Sequence, residues 1–580
     1  VNEQHRQAAN FVRAARLADV EAAGCLTFHL GGHTVAVFAH DGRVHAVDNR
    51  CPHMGFPLHR GTVRDGILTC HWHHARFDLA SGGTFDLWAD DVRSFPVEVR
   101  DGDVWVDVSP PADPRAHQRQ RLADGLERDI PLVIGKAVIG LLDGGEDPAG
   151  PFRVGLDFGA RRRQAGWGPG LTIHTCMMNL ADHLDAADRP RAAYHGLAAV
   201  ADDCAGQPPR VGVRPLPDST GDLATLKRWF RRFVEVRDAE GAERCLVSAL
   251  RAGADHRQAA DILFAAATDH RYIQTGHVAD FTNKALEALD QAGWEYAEPV
   301  LTSLVSSYAG AGRMEESNAW RYPVDLVQIL QRTFEALPAA LAAGRERRGA
   351  WSSRGALVAV LLGEDPQAIA DALLAALREG AGEEGVAGAV AGAAAARIAR
   401  FHTSNEFGDW DTALHTFTFA NAVHQGLRRS PSPELLRGVF DAAMSVYLDR
   451  FLNVPPAQLP ELGGAVPDPG RLLGELPALL DRQQQVNEAG SLVARYLHGG
   501  GRPERLLAVL GRLLLREDRD FHTIQAVEAA FRQYRLCGEA MVLVAAARYL
   551  AAHAPTVRAQ GQTYQIAQRL HRGEDLFEGP

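Results

Sequence analysis

Cysteine is scarce in this chain, with seven (Cys25, Cys51, Cys70, Cys176, Cys204, Cys245 and Cys537) in 580 residues. A disulfide framework belongs to small secreted domains with many more cysteines per residue, so none is expected here. Apolar runs are short as well; none approaches the roughly 18 to 20 residues of a membrane helix, which predicts a soluble chain with no membrane partner. Positive charge is thin. The formal net charge is -11, and the one dense basic run, Arg161-Arg162-Arg163, is too short for a phosphate-tracking groove, so nucleic acid is not an expected partner. The opening "VNEQHRQAANFVRAARLADV" holds neither the apolar stretch of a secretory leader nor a twin-arginine pair, which predicts a cytoplasmic location. No G-x-G-x-x-G follows a strand and no Walker A pattern occurs; "HGGGRPE" at His498 to Glu504 reads as a glycine turn before a helix.

The length exceeds the roughly 250 to 300 residues at which single cores stop growing, so two or three domains are expected. Period-two alternation fills residues 11–108. "HTVAVFAHDGRVHAVD" and "FPVEVRDGDVWVDV" each place Asp-Gly between β-branched runs, at Asp41-Gly42 and Asp101-Gly102, and predict tight hairpins. Residues 109–130 carry Pro110, Pro111 and Pro114 amid charge and read as an exposed linker. Beyond Pro131 apolar residues recur every three or four positions, as in "LKRWFRRFVEV" and "ERLLAVLGRLLLRE". The fold class is therefore multidomain α+β, a small antiparallel-β domain followed by a large all-α region, bundle-like or solenoid-like.

A faint duplication divides that region. "HTCMMNLADH" (His174 to His183) and "HTFTFANAVH" (His415 to His424) share their opening, a central Asn and a closing His. "GAERCLVSALRAGADH" is echoed by "GRPERLLAVLGRLLLREDRDFH". Two related halves, 131–377 and 401–580, are expected on either side of an Ala/Gly-rich connector, 378–400, which reads either as a flexible joint or as a helix packed through small residues.

The densest chemistry lies in "CPHMGFPLHRGTVRDGILTCHWHH", Cys51 to His74, with two cysteines and five histidines. Cys51-Pro52-His53 and Cys70-His71-Trp72-His73 each offer a thiolate and an imidazole at a spacing that lets one loop tip fold both toward a common point. Cys2His2 sets also hold zinc, but a zinc finger takes both cysteines from one loop and both histidines from a following helix. Cys and His alternating between two loops of a β domain suit a [2Fe-2S] cluster with two cysteines on one iron and two histidines on the other.

C-P-H…C-x-x-H in such a domain resembles the Rieske iron-sulfur family, and "CPHMGFPL" with "CHWHHARFD" is similar to its bacterial ferredoxin-like members. The resemblance covers about a sixth of the chain. It implies a [2Fe-2S] cofactor with Cys51 and Cys70 on one iron and His53 and His73 on the other. His59, His71 and His74 fall off the ligand positions, and His74 stands where relatives commonly carry glycine. The extra cysteine pair of high-potential members is missing, and the positions of their Ser and Tyr hydroxyls are taken by Ala75 and Phe77. Hydrogen bonds to cluster sulfur stabilise the reduced form, so their loss implies the low end of the roughly -150 to +300 mV Rieske range.

In Rieske oxygenases the electron passes to a mononuclear iron in a mixed α/β domain, whereas the region after residue 130 reads as helical and lacks that ligand pattern. "HTSNEFGDWDTALH" does hold His402, Glu406, Asp411 and His415, two pairs spaced i,i+4, which predicts a weak second-metal set of the kind that would hold an additional non-haem iron. The competing reading caps a helix near Thr412 with Asp409 or Asp411. His174 with His183, and His415 with His424, lie about 180° apart on a helix, and His270 and His277 are separated by about 10 Å of rise. These are expected as satisfied polar groups between helices. The sequence thus predicts a Rieske oxidoreductase passing single electrons to a substrate or second metal in the helices, supplied by a separate reductase. A ferredoxin-like carrier with a helical docking scaffold, and a redox sensor, are the alternatives.

Overall fold

The computed structural model describes residues 10–110, 113–217, 222–459 and 468–574. Residues 1–9 of the opening stretch, residues 111–112 of the predicted linker and the predicted last bound, residue 580, lie outside them. Two compact units emerge: one runs to Pro151 and regains the chain from Ala559 onward, and the other is Phe152–Arg558.

Among the described residues the first unit holds ten strands: β1 Phe11–Arg16, β2 Cys25–Leu30, β3 His33–His40, β4 Arg43–Asp48, β5 Thr62–Arg64, β6 Ile67–Thr69, β7 Arg76–Asp78, β8 Ser94–Phe95, β9 Val97–Arg100 and β10 Asp103–Asp107. They form three antiparallel sheets ordered β1-β10-β9, β2-β3-β4-β8 and β5-β6-β7. Each predicted Asp-Gly pair forms a two-residue turn, with φ of 48° and 70° at Asp41-Gly42 and 51° and 80° at Asp101-Gly102. Such positive φ values at both positions match the right-handed twist of the paired strands. A third such turn, Asp65-Gly66, joins β5 to β6. Alternate residues of β3, β4 and β10 (Val35, Val37, Ala46, Val104 and Val106) close one apolar core, while Phe38, Leu58, Leu68, Phe77 and Leu79 close another around Cys51 and Cys70.

Among the described residues four α-helices complete this unit: Leu17–Ala23, Pro114–Glu127, Pro131–Asp143 and Ala559–His571. The predicted linker 109–130 is thus largely helical. Asp113 caps it by accepting from the Ala116 N–H at 2.9 Å, and Pro114 sits in the first turn, where its missing N–H costs nothing. Pro131–Asp143 was expected to open the helical region; it belongs with the β unit instead, because its buried Lys136 is tied to the β loops.

In the second unit the three-to-four periodicity becomes helices as expected. Leu223–Glu235 buries Leu226, Phe230 and Val234 on one stripe and is capped by Asp222. The connector 378–400 is a helix, Glu383–Ala399, buried from Val386 to Ala399. Its small side chains admit close neighbours: a Cβ on Gly388 would lie 3.0 Å from Arg354 Nη1 and 3.2 Å from the His424 ring. One apolar core draws on residues from both sides of this helix, so it joins the two predicted halves rather than parting them.

Charge is also buried here, and it is balanced. Lys284 Nζ lies 2.9 Å from Glu287 and 2.5 Å from Glu528. Arg532 reaches the same two carboxylates at 2.9 and 3.3 Å, and Asn179 donates to both at 2.8 Å. Two cations thus meet two anions across the helices Pro169–Ala181, His277–Ala292 and Phe521–Cys537. Among the described residues no helix is long and apolar enough to cross a membrane.

Candidate iron–sulfur site

Two loops, one after β4 and one between β6 and β7, carry the predicted ligands, and their backbones are built alike. The Cys51 N–H donates to the Phe56 carbonyl at 2.8 Å, and the Cys70 N–H donates to the Ala75 carbonyl at 2.8 Å. Each loop therefore closes from its cysteine to the fifth residue on. The residue just before closure is left-handed in both, Gly55 at φ 78° and His74 at φ 63°. Glycine takes that conformation freely and an L side chain does not. Gly55 suits that geometry, and His74 occupies the strained position.

This shared architecture brings the four residues together. Cys51 and Cys70 are 2% and 1% exposed, and their thiols hydrogen-bond to each other. The proton stays with Cys51. Cys70 is drawn down to about 6 by the Cys51 thiol it accepts from and by the Trp72 and His73 N–H groups, against burial. The His53 and His73 rings stand edge to face with centroids 4.8 Å apart. His53 Nδ1 is buried with no hydrogen-bond partner. Such an orphaned acceptor is costly unless it binds something, so two thiols and two imidazoles in this arrangement fit a cluster. The cysteine side is buried and His73 is exposed. Trp72 packs on His73 with centroids 4.2 Å apart and Trp88 on His53 at 4.9 Å, both tryptophans being more than 40% exposed.

The other loop histidines do not join them. His59 Nδ1 lies 3.1 Å from Asn49 Oδ1 and His71 Nε2 3.3 Å from Thr62 Oγ1. Ala75 and Phe77 are fully buried beside the cysteines and offer no hydroxyl. Sequence reasoning missed Lys136, whose Nζ donates to the Pro52 carbonyl at 2.5 Å and faces Asp90 at 3.5 Å. Arg121 holds the same carboxylate at 2.6 Å. Burial pulls Lys136 down to about 8, with Asp90 opposing. The signal was available in "PLVIGKAVIG", where one lysine interrupts a wholly apolar helix. Lys136 also lines a cavity of about 130 Å³ with Cys51, Arg50 and Arg93.

The predicted set in the helical unit does not assemble. His402 precedes its helix and accepts from Ser404 N–H at 3.1 Å. Glu406 is the N-cap of Phe407–Arg429 and shares a capping box with Asp409. The helix begins five residues earlier than the capping alternative supposed, which leaves only Asp411 and His415 on a common face. His415 instead meets two histidines that were not grouped with it, His277 and His522. Burial lowers His277 to about 3 and His415 to about 4, so both are neutral at pH 7. Of the other predicted helical histidines, His174 Nε2 lies 3.0 Å from the Phe152 carbonyl, His270 contacts Glu315 and Glu235, and His424 contacts Gln533, whereas His183 packs edge to face on Phe531.

Paired loops offering thiols on one side and imidazoles on the other define a two-loop iron–sulfur domain. The chain belongs to the Rieske [2Fe-2S] family, whose domain model matches residues 10–96, and this domain binds a [2Fe-2S] cluster. It is 34% identical over 84 residues to the ferredoxin component of the alkene monooxygenase system of Xanthobacter autotrophicus, covering 14% of this chain and 69% of that protein. To the 3-phenylpropionate/cinnamic acid dioxygenase ferredoxin subunit of Photorhabdus laumondii it is 36% identical over 77 residues, covering 13% of this chain and 73% of that one. Against human Apoptosis-inducing factor 3 the identity is 32%, over 16% of this chain and 15% of that protein. Among solved structures, the ferredoxin of carbazole 1,9a-dioxygenase from Nocardioides aromaticivorans is similar at 26% identity and a TM-score of 0.17, over 17% of this chain and all of that one.

Proposed function

We propose that the chain is a Rieske oxidoreductase in which Cys51 and Cys70 hold one iron and His53 and His73 the other, and that it accepts single electrons from a separate reductase. The observation that carries this is the orphaned, buried His53 Nδ1 beside His73, at the mouth of two loops whose cysteines touch. A bound [2Fe-2S] cluster supplies one-electron transfer. The chain's own residues do the rest. Burial of Cys51 and Cys70 keeps water from the thiolates, and loop closure at Phe56 and Ala75 fixes their spacing. His73, with Trp72 and Trp88, leaves the imidazole side open to a redox partner. The ferredoxin components and subunits among the relatives support a donor on another protein. Delivery of the electron to a small-molecule substrate in the helical unit is favoured over a docking scaffold by a cavity of about 490 Å³ there, lined by Asp411, His553 and Arg519.

Ala75 and Phe77 leave the sulfurs without the side-chain donors that raise the potential. The test is a redox titration of the full chain with iron analysis. Two irons in the cluster and a potential in the lower part of the roughly -150 to +300 mV range are expected, and Cys70→Ser abolishes both. A potential above about +100 mV contradicts the argument from missing hydroxyls.

A further inference from the structure

His277, His415 and His522 come from three different helices of the second unit, and one nitrogen of each lies within 4.8 Å of the other two. The closest pair is His415 Nε2 and His522 Nε2, 3.1 Å apart. Two nitrogens at that distance are either hydrogen-bonded or share a cation. His415 is hydrogen-bonded to the backbone of Asp411, one helical turn earlier, and His522 Nδ1 faces Asp411 Oδ2 at 4.0 Å. Both rings thus have Asp411 on the far side and turn Nε2 toward each other.

The third histidine brings a nitrogen without a partner: His277 Nδ1 is buried and makes no hydrogen bond. Its ring stands edge to face on His415 with centroids 4.6 Å apart. Phe281 and Phe521 pack against the cluster and exclude water from its flank. For a zinc-like ion with bonds of about 2.0 to 2.1 Å, tetrahedral ligands lie roughly 3.3 Å apart and octahedral neighbours roughly 2.9 Å, which brackets the observed separation. Asp411 completes the arrangement from behind. Its Oδ1 accepts from Tyr549 at 2.6 Å, which fixes the carboxylate, as the outer partners of metal-bound histidines do.

We infer that His277, His415 and His522 form a metal site for a divalent first-row transition ion such as zinc or iron(II), oriented by Asp411. Three imidazoles suit these ions, and three protein ligands leave a coordination position for water or substrate, as in catalytic sites and unlike closed structural ones. Asp411 also lines the cavity of about 490 Å³. The site stands independently of the iron–sulfur assignment.

Equilibrium dialysis of the full chain against Zn2+, followed by metal analysis, tests it. One zinc per chain is expected beyond the cluster iron, retained in Cys51→Ser/Cys70→Ser, so that failure of the cluster assignment and of this one are separable. His415→Ala and His522→Ala should each weaken zinc binding at least 100-fold, and Asp411→Asn by about 10- to 100-fold. X-ray absorption at the zinc edge of the unaltered chain needs no variant and should give three imidazole nitrogens at about 2.0 to 2.1 Å. Absence of the extra zinc, equal retention in the histidine variants, or a sulfur-containing shell overturns the inference, and the first of these leaves His415 and His522 as a hydrogen-bonded pair.

Discussion

A single dihedral angle accounts for the one irregularity in the ligand loops. His74 has φ 63° where the equivalent residue of the other loop is Gly55, and an L residue pays roughly 1 kcal/mol or more to stay there. His74→Gly should therefore stabilise the β unit by about 1 kcal/mol, read as a later urea midpoint for loss of the cluster's visible absorbance; an unchanged or earlier midpoint contradicts the strain. Lys136 offers a second test at this scale. Its ammonium contacts the Pro52 carbonyl between two proposed ligands, and a positive charge favours the more negative, reduced cluster. Lys136→Met is expected to lower the reduction potential, and an unchanged potential would contradict a role for its charge. The four proposed ligands were legible because spacing within each loop is local. Lys136 was legible only as an oddity, since its partner loop lies 84 residues away.

At the scale of helices and strands, period and punctuation carried far. Asp-Gly turns and three-to-four apolar stripes became the elements they predict, because each depends on residues within one or two turns. Misreadings came where one composition serves two structures. Prolines before residue 115 suggested a loop, yet Pro114 starts a helix. The Ala/Gly-rich stretch left a joint and a helix equally open, and burial on all sides of Glu383–Ala399 decides for the helix. The buried charges were invisible for a different reason: Lys284 meets Glu528 from 244 residues away. Removing one member of a buried ionic group leaves the others uncompensated, so Lys284→Met is expected to cost about 3 to 5 kcal/mol, measured by urea unfolding of the helical unit. A loss below 1 kcal/mol would mean that Arg532 alone balances Glu287 and Glu528.

Over the whole chain, what the sequence could not reveal is which distant segments meet. His415 and His522 are 107 positions apart, and the helix Ala559–His571 rejoins the unit that begins the chain. Such pairings follow from the packing of many helices, and no local pattern encodes them. Burial at this scale also sets a pH dependence. Asp280 and Asp449 are fully buried and pushed up from 3.8 to about 7, chiefly by burial. The unfolded chain releases these protons near pH 4 while the folded chain keeps them to about pH 7, so stability is greatest below that window and falls as pH rises through it. Asp449→Asn should flatten the fall between about pH 4 and 7 in urea midpoints; an unchanged slope would mean that the carboxylate is solvated in the folded state.

The central claim concerns the four residues that hold the cluster. Electron paramagnetic resonance of the dithionite-reduced full chain, with electron–nuclear double resonance to detect bound nitrogen, tests it most directly. A [2Fe-2S] signal coupled to two histidine nitrogens is predicted, lost in Cys70→Ser and altered in His53→Cys. A signal with no strongly coupled nitrogen, or one unchanged in both variants, would contradict the assignment.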